Sequence, residues 1–405
     1  MMLRLSLATA FCLCLATGGV AAEPLKVFIL AGQSNMQGHA HVRTFDAMAL
    51  NEDAAPILEK IADADGAPRV VDDVWISSLG SAKDIKTGQL TVGYGADGRG
   101  PKIGPEFAFG IYMHEALNEP ILLIKTAWGG KSLHTDFRPP SAGPYQFNES
   151  QLENFRKRGV DPAQAAAEKA EATGRYYRLM IAHIEAVLSD VGEVVPGYDE
   201  NQGYELAGFV WFQGWNDMVD GGTYPNRGRA GGYDQYSELM TTFIRDVRND
   251  LKTPDLPFVI GVMGVGGPTA EYGPDQQRYL ATHQNFRDAM AAPAELEEFE
   301  GTVAAVLTEN YWDMNVVELR RREKPIQKRR KELNAAVKAG ETTRKEADEE
   351  IENLYQAEFS TEELTVLRDG VSNFDFHYMG SAGVMAQIGK GFAEAMTELI
   401  EEEAE

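Results

Sequence analysis

Cysteine is almost missing from this 405-residue chain: the two present, Cys12 and Cys14, both lie close to its start. They sit in an apolar run, LSLATAFCLCLA, that follows Arg4 and gives way to small residues, TGGVAA, before Glu23. A basic start, a hydrophobic stretch short for spanning a bilayer and a small-residue end read as a secretory signal peptide cleaved after Ala22. The mature chain then holds no cysteine, which excludes disulfides, a thiol nucleophile and a thiolate metal site. Export points to the periplasm or the medium without choosing between them. Basic residues are the second shortage. Lys and Arg number 38 against 62 Asp and Glu, a net charge of −24. Such a balance repels polyphosphates and anionic lipid, and argues against nucleic-acid or membrane partners for the mature form. The hydrophobic fraction, 43%, is that of a globular protein. The length suits one large domain with insertions, or two domains.

Five short apolar runs follow, at 25–30 (LKVFIL), 120–125 (PILLIK), 206–212 (LAGFVWF), 257–263 (PFVIGVM) and 302–307 (TVAAVL). Runs apolar on nearly every residue predict buried parallel strands rather than half-exposed ones. Helical spacing marks 106–117, 163–191, 236–251 and 276–291 between them. The alternation predicts a three-layer α/β sandwich around a five-stranded parallel sheet, with ligand chemistry at the carboxyl ends of the strands. Each run ends in Gly or polar residues, as that rule expects. Two stretches interrupt the pattern. Residues 40–103 hold one plausible strand, at 70–77, within Gly- and Asp-rich loops and read as an elaboration over the site. Residues 315–365 are dense in charge of both signs and read as an inserted, solvated helical hairpin hinged near Gly340.

The first run leads straight into Gly32-Gln33-Ser34-Asn35-Met36. A serine on the turn leaving a central parallel strand is exposed at the top of the sheet, where following helical amides favour an oxyanion. The string is not the Gly-x-Ser-x-Gly elbow of α/β-hydrolases. Downstream come Trp128-Gly129-Gly130-Lys131-Ser132, then Trp211-Phe212-Gln213-Gly214, and last His377 in FDFHYMGSAG. With these blocks in this order the chain resembles the SGNH hydrolase superfamily, in its sialate O-acetylesterase and carbohydrate esterase family 6 branch. The resemblance implies the flavodoxin-like SGNH hydrolase fold and a serine esterase. Two departures stand out. The third block continues Trp215-Asn216-Asp217 where that branch usually has Glu after Gln-Gly. Phe374 stands three residues before His377, where the branch usually has Asp.

Ser34 needs a base, and His377 is the best placed of seven histidines. His114, His183 and His283 fall in helical patterns, while His39 and His41 lack a third ligand at metal spacing, so no metal is expected. His134 is a candidate lining residue. Asp375 shares a face with His377 in an extended segment and is the expected orienting acid; Asp313, just past the fifth run, is its rival. The oxyanion hole is expected from the Ser34 amide, Gly130 or Gly129, and the Gln213 side-chain amide. Gln33, Asn35 and Asn216 are expected substrate contacts. Trp128, Trp215 and Tyr378 are expected walls, since the CH faces of sugars stack on aromatic rings. Trp211 reads as core, Arg138 as a partner for either an acidic sugar or a surface acid, and Glu106 as the start of a helix. The expected function is an exported esterase that removes O-acetyl groups from a carbohydrate without a cofactor. A non-catalytic carbohydrate binder and an SGNH lipase or thioesterase are the alternatives; the oligomeric state is open.

Overall fold

The computed structural model describes residues 24–404, so the expected signal peptide lies outside the described residues. Seven strands, β1 (Leu25–Gly32), β2 (Val74–Leu79), β3 (Lys86–Gln89), β4 (Ile121–Ala127), β5 (Tyr204–Phe212), β6 (Phe258–Val262) and β7 (Val303–Leu307), build one sheet. Their order is β3-β2-β4-β1-β5-β6-β7. All neighbours are parallel except the β2–β3 pair. The sheet therefore exceeds the five strands expected. β2 continues the parallel array from within the 40–103 elaboration. β3 is a polar, half-exposed edge strand, KTGQ, with no apolar run to mark it. Among the five expected strands the order is second, first, third, fourth, fifth, the flavodoxin-like arrangement, whose switch point lies beside the end of β1.

The alternation of side chains across the sheet decides what each helix buries. Phe209 and Trp211 of β5 point to one face, against Phe243 of α4 (Asp234–Asp250), which also meets Tyr177 of α3 (Arg175–Ser189). Phe212 points to the other face, against Phe392 of α9 (Ala382–Ala404), and Phe28 of β1 meets Phe109 of α2 (Glu106–Leu117) there. Layers of this kind on both faces are what near-continuously apolar strands require. The expected long helix over 163–191 is broken. Gly174 adopts a left-handed conformation and its N–H binds the Thr135 carbonyl, ending one helix at Ala172 and starting α3.

After α5 (Leu280–Ala291), the charged stretch forms α6 (Met314–Ala339), α7 (Arg344–Glu358) and α8 (Thr361–Asp369), capped by Asp313, Thr343 and Ser360. Its charges are spent on one another and on the body. Arg322 pairs with Glu358 and Glu363, Lys324 with Asp275, and Arg320 with Asp375. No helix among the described residues is long and apolar enough to cross a membrane.

Candidate active site

β1 ends where β5 comes close: a Cβ on Gly32 would lie 2.2 Å from the Phe212 carbonyl oxygen, at φ +157°. Only glycine permits that approach, and the chain turns there into α1 (Ser34–Gln37) with Ser34 first and almost wholly buried. The turn is anchored from below. Lys125 of β4, fully buried, donates to the Gln37 carbonyl at 2.9 Å, the Tyr94 carbonyl at 3.0 Å and Glu106 Oε2 at 2.7 Å. Glu106 is equally buried and its other oxygen accepts from the Gly104 N–H. A buried carboxylate thus neutralises the ammonium that holds the Ser34 turn.

His377 arrives from the far end of the chain, on a turn (Asp375–Gly380) that packs against α1. Its Nδ1 lies 3.0 Å from Asn373 Oδ1, which also accepts the Phe374 N–H at 2.8 Å. Two donors on one oxygen fix the amide's orientation, and place the imidazole proton on Nδ1 with Nε2 as the basic nitrogen. The imidazole lies flat on His39, with ring centroids 3.8 Å apart and planes 2° from parallel. Desolvation pushes His377 down to about 4; desolvation first, then the neighbouring His377, push His39 down to about 3. Both rings are therefore neutral at ordinary pH. Nothing in the sequence pairs His39 with His377, since the contact joins segments at opposite ends of the chain.

Asp375, expected as the orienting acid, is diverted. Its carboxylate meets Arg320 of α6 at 2.6 Å and is largely exposed. Asn373 holds the place instead, because the segment is a turn and not the extended strand in which residues two apart share a face. Asp313 caps α6 through the Val316 N–H at 3.0 Å. The turn is strained after His377: Tyr378 and Met379 have φ of +51° and +59°, a conformation non-glycine residues adopt rarely. Tyr378 is the reason it holds. Its fully buried hydroxyl accepts from the Gly264 N–H at 2.8 Å and bonds Thr308 Oγ1 at 2.6 Å. Tyr378 is thus an internal anchor and not the sugar-facing wall expected of it.

The loop after β4 closes the other side. A Cβ on Gly129 would lie 3.8 Å from Ser34 Cβ and 3.3 Å from Gln37 Oε1, whereas one on Gly130 would meet nothing within 4 Å. Of the two, Gly129 is the glycine facing Ser34. Gln213 does not supply an oxyanion donor. Its Nε2 gives its hydrogens to the Lys131 carbonyl at 3.0 Å and Asp217 Oδ2 at 2.6 Å, and an amide has only two. Asp217, fully buried, accepts in addition from the Leu133 N–H, the His134 N–H and the Tyr224 hydroxyl. These bonds tie the loop after β4 to the turn after β5.

Gln33 is buried against the same junction. With its amide turned to donate, it reaches the Lys131 carbonyl at 3.1 Å and Asn216 Oδ1 at 2.7 Å. Asn35 is buried with its Oδ1 unpartnered. His134 lies deeper, bonded to Thr135 and facing Asp220 at 3.2 Å. Arg138 is buried and donates to the carbonyls of His134, Ala142 and Gly143, so it meets no acid. Trp128 is half-buried against Phe137 and Tyr176. Trp215 is half-buried against Phe376, which stacks in turn on Phe374. Among the described residues no group of three or more metal-ligating side chains occurs.

Residues 24 to 295, which carry the Ser34 turn and the glycine loop after β4, are matched by the family model for a carbohydrate esterase, sialic acid-specific acetylesterase. The chain belongs to that family. The matched segment carries Ser34, Gly129 and Gln213, while Asn373 and His377 lie beyond it. Two solved structures are similar to this carbohydrate esterase. One is an Arabidopsis thaliana protein, 18% identical, covering 70% of this chain and 86% of that one at a TM-score of 0.37. The other is described as a novel carbohydrate acetylesterase from Xanthomonas citri, 15% identical, covering 69% of this chain and 49% of that one, also at 0.37. No curated protein matches the chain significantly.

Proposed function

We propose that the protein is an exported serine esterase that removes O-acetyl groups from a carbohydrate, with Ser34 as nucleophile and His377 as base. Ser34 Oγ attacks the acetyl carbonyl while His377 Nε2 takes its proton. Asn373 Oδ1 holds the imidazole through Nδ1–H and orients the imidazolium that forms. The oxyanion binds backbone amides at Ser34 and the Gly129–Gly130 segment. Imidazolium then protonates the departing sugar oxygen, leaving an acetyl-serine. Water, deprotonated by Nε2, attacks that ester and releases acetate. No cofactor enters.

The observation that supports this reading most is the tautomer of His377 that Asn373 selects, on a turn packed against α1, the short helix that Ser34 begins. Ser34→Ala should abolish hydrolysis of 4-nitrophenyl acetate while leaving the melting temperature within a few degrees of wild type. Retained hydrolysis would sink the assignment. The amide in place of a carboxylate beside His377 favours one second reading, a carbohydrate binder without catalysis. A fluorophosphonate probe that fails to label Ser34 would select it.

A further inference from the structure

Phe374 is the large hydrophobic residue most open to solvent among those described, 69% exposed, and it stands three residues from the base. It does not stand alone. Its ring stacks on Phe376 at 5.2 Å and 13°, Phe376 leans on Trp215 at 5.6 Å and 33°, and the edge of Phe376 meets His377 at 4.4 Å. The three rings form a row, Trp215–Phe376–Phe374, whose middle ring meets the His377 imidazole and whose Phe374 end stands in solvent, one ring removed from that imidazole. Folding does not account for the outer ring, since burying it would be favourable by about 2 kcal/mol or more and the turn leaves it in water.

The row is small. With two of its rings half-buried, it offers far less than the roughly 800 Å² that each partner contributes to a stable protein interface. A single pyranose presents an apolar CH face of about one aromatic ring, with hydroxyls around its rim. Polar residues flank Phe374 in the chain: Asn373 before it, and Asp375, paired with Arg320, after it. Continuity with His377 sets the order of units, because a sugar on Phe374 lies outside the one whose ester reaches Ser34.

We infer that Phe374, Phe376 and Trp215 form a stacking subsite for the pyranose next to the acetylated one, so that the enzyme takes a glycan chain rather than a lone acetylated sugar. The inference rests on the esterase reading for its direction, and its test separates the two. Binding of unacetylated xylotetraose to the full mature protein, followed by calorimetry, reads the subsite without any chemistry. Phe374→Ala should weaken it by about tenfold, the loss of one stacked ring, and Phe374→Tyr should restore it. With acetylated xylotetraose and 4-nitrophenyl acetate as paired substrates, the ratio of kcat/KM values should fall by a similar factor in Phe374→Ala. An unchanged affinity and ratio overturns the subsite. So does a change of oligomeric state in Phe374→Ala, which would assign the row to self-association. Xylotetraose binding that depends on Phe374 in a protein inert toward both esters would leave the subsite standing and remove the esterase.

Discussion

Asn373 offers the sharpest perturbation, because one atom exchange reverses the electrostatics at the base while preserving its geometry. Asn373 Oδ1 accepts from His377 Nδ1–H at 3.0 Å. Asn373→Ala removes that bond and frees the ring to turn. A lost hydrogen bond of about 1–3 kcal/mol converts to a fall of roughly 5- to 150-fold in kcat. Asn373→Asp keeps the bond and adds a charge. An opposite charge this close raises an imidazole by about 1–3 pKa units, starting from the value near 4 that desolvation imposes. The sign follows from the mechanism: the base works deprotonated, so raising its pKa moves the acid limb of the profile upward. Asn373→Asp should therefore lose activity near pH 5 and equal or exceed wild type near pH 8, where the carboxylate stabilises the developing imidazolium. The assay is the pH dependence of kcat/KM for 4-nitrophenyl acetate. An unmoved acid limb in Asn373→Asp, with wild-type kcat in Asn373→Ala, would refute the role given to this residue.

Three further outcomes follow from contacts already described. Gly129→Ala places a methyl 3.8 Å from Ser34 Cβ and a tight 3.3 Å from the end of the Gln37 side chain, which must give by a few tenths of an ångström, and beside the space an acetyl carbonyl would use. It should cut kcat/KM by about tenfold or more with little change in urea midpoint, a crowding effect of roughly 1–3 kcal/mol. Lys125→Met strands a buried Glu106 carboxylate and should cost about 3–5 kcal/mol in urea unfolding, part of which Lys125→Met with Glu106→Gln should recover. His39 and His377 are depressed to about 3 and about 4 in the folded protein, against about 6.5 unfolded. The unfolded chain takes up more protons below that value, so the melting temperature should hold above pH 6.5 and decline progressively toward pH 4. Replacing both histidines with Gln should flatten the decline.

The strands were legible because β1, β4, β6 and most of β5 are buried on both faces, which leaves a continuous apolar run, and because β7, an edge strand only partly buried, is nonetheless apolar at every position. β3 escaped because an edge strand with polar residues at every position writes no such run. Ser34 and His377 stand in blocks whose order the sequence displays, on turns that pack together in the fold. What surrounds His377 was not, for a geometric reason. Regular spacing predicts which side chains share a face only in regular structure, and 373–380 is a turn with two left-handed residues. That is how Asn373 displaced Asp375, and how Tyr378 came to point inward. The diversion of Asp375 also needed Arg320, which comes from an inserted helix whose docking no local pattern encodes. Gln213 had the right chemistry for an oxyanion donor; only its two buried acceptors remove it.

Ser34 closes the first strand, whereas His377 precedes the last helix, and the sheet and inserted helices lie between them in the chain. A ribosome delivers these residues in that order, so on the roles proposed for them Ser34 would wait without its base until nearly all of the polypeptide has emerged. Synthesis interrupted ahead of Asn373 would then leave a fragment with a serine but no means of activating it. Completeness of the chain is in this way a condition of its reactivity.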